Sequence, residues 1–88
     1  MMTKRWTVDI FIDERDSTTH AEARLHTNDA TRLSGYGKAR RNPSDAEVPE
    51  IGDELAVARA LSELAHMLLQ AAADDIEQIT HQPADLQG

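Results

Sequence analysis

The chain has 88 residues and no cysteine, and its 9 Lys and Arg residues against 16 Asp and Glu residues give a formal net charge of −7. This length fits one domain, spanning residues 1–88. So small a domain has little core of its own, and a second subunit is a common source of further buried surface. Without cysteine, disulfides, thiolate metal sites and cysteine nucleophiles are excluded, and we expect a cytoplasmic location. The N-terminal residues do not resemble a signal peptide, and no segment is apolar over the ~20 residues of a membrane-spanning helix.

Charge is unevenly distributed along the chain. Residues 1–41 carry a net charge of +2, whereas residues 42–88 carry −9. This asymmetry is compatible with a basic face that meets RNA while the acidic side is turned away. It is equally compatible with two protomers whose charges complement each other, and with an ordinary solvated acidic helix.

The first 40 residues predict three strands of an antiparallel meander. From Arg5 to Asp13 apolar and polar residues alternate, which indicates a half-buried strand. A polar turn over residues 14–19 precedes a second alternating segment that ends at His26, and an Asn28-Asp29 turn leads to a third strand from about Thr31 to Arg40. The inward positions of the three strands are Trp6, Val8, Ile10 and Ile12, then Ala21, Ala23 and Leu25, then Leu33, Gly35, Gly37 and Ala39.

A long helix follows the predicted turn at residues 42–45. Apolar residues then recur every three or four positions, as in an amphipathic helix, and we expect them to face the sheet. These residues are Ile51, Leu55, Ala58, Leu61, Leu64, Ala65, Leu68 and Ala72. Gly35 and Gly37 would weaken their strand unless another element approaches closely, so the helix is expected to cross them.

The remaining residues predict a short second helix. It begins at Asp74-Asp75 and ends before Pro83, because proline disfavours helical geometry in the residue before it. Residues 84–88 are expected to fray. The predicted fold class is therefore α+β: a three-stranded antiparallel meander packed by one long helix, with a short helix after it.

A homodimer is predicted from the surface that this fold leaves uncovered. The sheet has free edges, and Met67, Leu69, Ala71 and Ala73 lie outside the predicted packing stripe. Free edges and leftover apolar surface favour pairing with a second copy. The alternative is that the C-terminal turn folds back and covers them.

Catalytic and metal-binding patterns are not evident. The four histidines, His20, His26, His66 and His81, lack metal-ligand spacing. The adjacent Asp74 and Asp75 would point about 100° apart on a helix and fit capping better than acid–base chemistry. We therefore expect neither an enzyme nor a cofactor, metal or small-molecule substrate.

Nucleic-acid binding has more support from the outward positions of the strands. Phe11 and Tyr36 alternate there with basic residues, as in sheets that stack the bases of single-stranded RNA. The candidate contact residues are Arg24, Arg32, Tyr36, Lys38 and Arg40 on the strands and Arg41 after them. The acidic residues Asp9, Asp13 and Glu22 share this face, so its net charge is only +1. Cross-strand packing, with the charges merely solvating the face, is the competing interpretation.

Several segments resemble a small, dormancy-associated family of actinobacterial proteins of unknown function. The resemblance covers nearly the whole chain, and its most specific part is the block VPEIGDELAVARAL over residues 48–61. The other matching segments are Trp6 to Ile10, Ala23 to Leu25, Gly35 with Gly37, Ala39-Arg40, Asn42-Pro43, Asp75 to Glu77 and Thr80 to Pro83. The resemblance implies a β-meander plus helix that dimerises into a shape similar to ribosome hibernation promoting factors. It also implies a stress-linked, non-enzymatic protein that binds the ribosome, without supplying RNA-contact residues.

The acidic helix departs from that implied function. Hibernation factors are expected to present basic helices to ribosomal RNA, whereas this helix carries Glu50, Asp53, Glu54 and Glu63 against Arg59 alone. A ribosome-binding role would therefore rest on the third strand and Arg41. The alternative is a protein-interaction or regulatory dimer without a nucleic-acid target, whose acidic helix meets a basic partner.

Overall fold

A computed structural model describes residues 2–28, 32–40, 49–81, 83 and 84. It contains β1 (Thr7–Arg15), β2 (Thr18–His26), β3 (Arg32–Arg40) and one helix, α1 (Pro49–Thr80). The strands form one antiparallel sheet in the order β1-β2-β3. The predicted α+β meander with a long helix behind it is confirmed. The predicted turn at residues 42–45 lies outside the described residues, and so does Arg41.

A two-residue turn joins β1 to β2 and lengthens both strands beyond their predicted ends. Asp16 and Ser17 have φ values of 51° and 64°. Positive φ at both central residues is what the tight type I′ hairpin requires. Arg15 therefore pairs with Thr18, and the polar residues expected in a longer turn belong to the ladder instead.

One continuous helix replaces the two that the sequence predicted. α1 runs through Asp74 and Asp75 without a break, because both carboxylates lie on its exposed surface and no proline or glycine interrupts this stretch. Gln70 Nε2 donates to Asp74 Oδ1 at 3.1 Å, an i,i+4 pair that supports the helix here. The helix ends after Thr80, where His81 has a φ of 59°, close to the predicted stop. Ala84 N–H then donates to Glu77 Oε1 at 2.9 Å. No helix among the described residues could span a membrane.

Small residues set the contact between the helix and the sheet, as the glycines predicted. A Cβ added at Gly35 would lie 2.5 Å from the Leu64 amide nitrogen, and one at Gly37 would collide with the backbone of Ala56 and Ala60. The helix backbone therefore rests almost directly on β3. The core around this contact consists of Ala21, Ala23, Leu25, Ala39, Ala56, Ala60 and Leu64.

The close contact changes the predicted packing stripe of the helix, of which Leu64 and Leu68 do pack against the core as predicted. Ala56, Ala60 and Leu64 face the sheet, whereas Ile51 and Leu61 are 55% and 42% exposed. Apolar spacing alone favoured the larger side chains, but alanine at positions 56 and 60 allows the helix backbone to approach the glycines of β3 this closely. Leu55, Ala58, Ala65 and Ala72 from the predicted stripe are likewise exposed, while Ala73, predicted to lie outside it, is buried.

Strand β1 is exposed along its whole length, although it was predicted to be half-buried. Its alternation is confirmed, because Val8, Ile10 and Ile12 pair with the core residues of β2 and share their face. The helix, however, packs on β3 and β2 and barely reaches β1. The three side chains consequently remain 37–47% exposed.

Candidate nucleic-acid interface

The strand register arranges the outward side chains in rows across the sheet. The middle row consists of Phe11, Glu22 and Tyr36, which are paired in that order. Phe11 is 49% and Tyr36 59% exposed, because the helix packs against the opposite face. The two rings therefore flank a carboxylate on an open surface, and a depression of about 260 Å³ lies between them, bordered also by Asp13, Arg15 and His20.

Arg24 is held inside this face by its neighbours. Its guanidinium lies 4.8 Å from the centre of the Phe11 ring and donates to both carboxylate oxygens of Glu22 at 3.1–3.3 Å. Tyr36 Oη also donates to Glu22, at 3.4 Å. Desolvation is the largest single influence on the pKa of Glu22 and raises it, but hydrogen bonds from Arg24, Ser34 and Tyr36 and the positive charge of Arg24 together outweigh it and lower the pKa below its ordinary value. Arg24, one of the predicted contact residues, is therefore charge-neutralised and offers a planar stacking surface.

Basic side chains gather at one end of the face. Lys38 lies in the row after the aromatic pair, and Arg40 shares the last row with Arg15 across Thr18. Arg15 lies 3.6 Å from Asp13, but both side chains are more than 60% exposed, so this ion pair contributes little. With Arg15 included, the face carries five basic and three acidic residues and a net charge of +2 instead of the predicted +1.

The predicted contact residues do not form one cluster. Arg32 lies at the opposite end of β3 from Arg40, about 26 Å away at the usual strand rise. Beside it, His26 Nε2 contacts Asp9 Oδ2 at 2.9 Å. Tyr36, Lys38 and Arg40 are consecutive outward positions, whereas Arg32 belongs to a separate, more mixed end. Arg41 lies outside the described residues.

Sequence reasoning missed two contributors to this region. Arg15 was placed in a loop, although the alternation of β1 continues for two residues beyond Asp13. Arg59 reaches from the helix to the edge of β3, where its Nη1 donates to the Lys38 carbonyl oxygen at 2.7 Å. Only the tertiary contact reveals the second residue, because helical spacing does not show which strand edge lies beside it.

No group of three or more potential metal-ligating side chains occurs in the part of the chain that the structure describes. His20 and His26 both point outward from β2, six residues apart. At the strand rise this separates them by about 20 Å, too far to share one ion. The side chains on this face can stack, form hydrogen bonds and carry charge.

Comparison with known proteins identifies the family. The sequence model of the Rv2632c-like family matches residues 4–85. The chain belongs to the Rv2632c-like family. Relatives in this family include the uncharacterized protein Mb1767 of Mycobacterium bovis, 55% identical over 94% of this chain and 87% of the relative. The uncharacterized protein Rv2632c of Mycobacterium tuberculosis is 49% identical over 86% of this chain and 81% of its own length.

A solved structure supports the family fold. The crystal structure of Rv2632c matches this chain with a TM-score of 0.84 and 46% identity, covering 94% of this chain and 98% of that one. The Rv2632c-like fold is therefore the meander and long helix described above. None of these relatives' names states an activity or a partner, so function must be argued from the chain itself.

Proposed function

We propose that this protein is a non-enzymatic, homodimeric binding module whose outer sheet face binds single-stranded RNA, with a ribosome-associated role in stress or dormancy like that of hibernation factors. One observation carries the proposal: Phe11 and Tyr36 stand exposed in one row across an open sheet face, with basic residues in the rows beside them. Stacking on an aromatic side chain contributes about 1–3 kcal/mol per base and tolerates any base.

The basic end of the face supplies the phosphate contacts of this proposal. Lys38 follows Tyr36 at the next outward position of β3, and Arg40 follows Lys38. An RNA strand whose bases stack on the two rings would therefore pass both basic side chains, which can contact its phosphates. Each phosphate neutralised by Lys or Arg releases counterions, so affinity falls as salt rises. A face with a net charge of +2 and few phosphate contacts predicts modest affinity with a correspondingly small dependence on salt.

The acidic helix orients the molecule instead of blocking binding. It packs against the other face of the sheet, and Glu63 is the helix carboxylate that reaches the free edge of β3, where it accepts from the Tyr36 N–H and is occupied by that hydrogen bond. Repulsion of RNA from the helix side and attraction at the sheet side favour approach by the outer face. This arrangement differs from hibernation factors that present basic helices, because here the sheet would make the contact.

The deciding experiment measures binding to ribosomes and to single-stranded RNA with matched charge reversals. The double variant Lys38→Glu/Arg40→Glu alters the basic end, and Lys4→Glu/Arg5→Glu changes the same residue types and the same net charge outside it. We expect the first to abolish salt-sensitive co-sedimentation and the second to retain most of it. Equal behaviour of the two variants would show that no local site exists on β3.

Loss of stacking gives an independent arm of the same experiment. Tyr36→Ala removes an exposed ring, so folding should change little while RNA affinity falls about tenfold or more. Phe11→Ala should act in the same direction and also release Arg24. Unchanged affinity in both variants would contradict the proposal.

The alternative is a protein-interaction or regulatory dimer without a nucleic-acid target. It is favoured by the net charge of −9 over residues 42–88, which suits a basic protein partner. If the Lys38→Glu/Arg40→Glu variant still co-sediments with ribosomes as the parent does, or if the parent is recovered only in light fractions, this alternative replaces RNA binding.

A further inference from the structure

The core of the protomer is built from small residues while the large ones lie outside. Among the buried hydrophobic residues in the described part of the chain, only Leu25 and Leu64 are larger than alanine. The exposed large side chains on β1, on the residue before it and on the helix are Trp6, Val8, Ile10, Phe11, Ile12, Ile51, Leu55, Leu61, Ile76 and Ile79. Extended apolar surface of this kind marks an interface. The protomer therefore exposes more large hydrophobic side chains than it buries.

The middle of the helix is apolar on nearly every side. From residue 55 to 73 its only Asp, Glu, Lys or Arg residues are Arg59 and Glu63. Both turn to the free edge of β3, where Glu63 Oε2 accepts from Tyr36 N–H at 3.0 Å and Arg59 bonds the Lys38 carbonyl. His66 and Gln70 lie on the same side of the helix as Arg59 and Glu63, so these polar residues form one stripe and the rest of the helix surface is largely apolar. So wide an apolar surface belongs in an interior. This one has a sheet on one side only.

Beside the helix, the face of β1 on the helix side of the sheet is exposed; we call this surface the shelf. Val8, Ile10 and Ile12 point to the helix side of the sheet without being covered by the helix. Leu61 lies about 100° around the helix from the sheet-facing Ala60, opposite to Arg59, and so borders the shelf. We call this combination of β1 floor and helix wall the apolar step: Val8, Ile10, Ile12, Leu61 and Ala65.

The dimensions of the apolar step match a helix. Packed helices lie about 8–10 Å apart, and neighbouring strands about 4.8 Å. A second helix placed beside α1, which rests chiefly on β3, would therefore lie two strand spacings away, directly above β1. The opposite side offers no such place, because Arg59 and Glu63 occupy the edge of β3.

We propose that the apolar step receives the helix of a second copy of this chain, so that two parallel helices form a layer between two outward-facing sheets. The occupant is a second copy because α1 itself has the length and the wide apolar surface that the step requires, and reciprocal docking covers both steps at once. The two-fold axis runs between the helices and parallel to them. The inference rests on the homodimer of the proposed function, and it leaves both outer faces free for a ligand.

This symmetry predicts one specific contact. Gly35 lies against Ala60 and Leu64, and Ile10 belongs to the same row of the sheet as Gly35. Ser62, between those helix positions, is exposed and points away from its own sheet. A two-fold axis parallel to the helices keeps each residue at its level. Ser62 of one subunit should therefore face Ile10 of the partner subunit.

Disulfide cross-linking tests the contact directly, because the natural chain has no cysteine. The double variant Ile10→Cys/Ser62→Cys should form a covalent dimer under mild oxidation, whereas Ile10→Cys alone and Ser62→Cys alone should remain uncross-linked. Both positions are exposed in the protomer, so neither change disturbs its core. The readout needs no RNA or ribosome, and its failure is therefore separate from failure of RNA binding.

Each other outcome contradicts the arrangement in a recognisable way. Cross-linking of Ile10→Cys alone would indicate that β1 edges pair into a six-stranded sheet. Cross-linking of Ser62→Cys alone would indicate helices stacked through their outer surfaces. A protomer mass for the unmodified chain at all concentrations, together with no cross-link, would remove the dimer itself.

A charge placed on the helix wall provides a second measurement. Leu61→Glu should convert the dimer to a protomer by light scattering, with the far-ultraviolet helix signal retained. Gln70→Glu adds the same charge at an exposed helix position outside the apolar step, and it should remain dimeric. Dimers of equal stability in both variants would overturn the proposal.

Discussion

The two outer strands of the sheet have the same length but opposite surroundings. The glycines of β3 lie against the helix backbone. Glu63 and Arg59 form hydrogen bonds with backbone groups at the free edge of this strand. β1 carries larger apolar residues, yet the helix leaves it exposed. Close backbone packing of small residues therefore stabilises the protomer on one side, while the large side chains of the other side remain available for assembly.

The strongest test of this contrast adds one methyl group on the β3 side. Gly37→Ala should destabilise the protein by about 1–3 kcal/mol, because the new Cβ collides with the backbone of Ala56 and Ala60 and the helix must move away. The measurement is the free energy of unfolding in urea.

Gly52→Ala is the matched control for that substitution. Its Cβ would lie 2.9 Å from Oγ1 of the buried Thr19, a single side-chain atom that moves with χ1, instead of against a backbone. Alanine also favours the helix over glycine by up to about 1 kcal/mol, which offsets part of this contact, so the control should lose clearly less stability than Gly37→Ala. Similar losses in both variants would contradict the close seating of the helix on β3.

A smaller effect is expected from opening the edge of β3. Glu63→Ala removes the acceptor of the Tyr36 N–H and should cost about 1 kcal/mol of unfolding free energy. Because an uncovered edge strand invites pairing with other chains, we also expect species larger than a dimer by light scattering.

Gln70→Ala serves as the comparison, since it removes an exposed i,i+4 side-chain pair without touching a strand. It should leave the mass of the assembly unchanged. If the mass is unaltered in Glu63→Ala as well, the helix does not protect the edge of β3 from pairing with other chains. The two outer strands would then not differ in their tendency to associate.

The smallest effect concerns acid sensitivity of the outer face. The lowered pKa of Glu22 means that the folded state binds this proton less readily than the unfolded chain. Its stabilising contribution is therefore present above the ordinary pKa of 4.5 and is lost as the pH falls through the lower, folded-state value.

Melting temperature as a function of pH tests this contribution. Glu22→Gln should show a shallower decline than the parent between about pH 5 and pH 3. Glu54→Gln, which removes a helix carboxylate, should follow the parent. If Glu22→Gln follows the parent too, the hydrogen bonds from Arg24 and Tyr36 do not couple protonation to folding.

Prediction from sequence succeeded where a local pattern has one structural meaning. Alternation placed Tyr36, Lys38 and Arg40 together on the outward face of β3, and this is confirmed. The same alternation did not reveal that Glu22 neutralises Arg24, because a hydrogen bond between neighbouring outward positions depends on rotamers. It also left Arg15 out, since the predicted turn was longer than the two-residue turn that forms.

The sequence by itself determined the meander, the presence of a long helix and the need for that helix to cross Gly35 and Gly37. These features follow from local signals: period-two alternation, helical spacing and glycines that are unfavourable in a strand.

Only the tertiary structure decided which side of the helix rests on the sheet, because several of its sides are apolar. The short distance between the helix and strand backbones that the glycines permit selects Ala56 and Ala60 over Ile51 and Leu55. That selection turns the large side chains outward and leaves β1 uncovered. Local spacing could not predict this outcome, because it depends on the distance between two backbones.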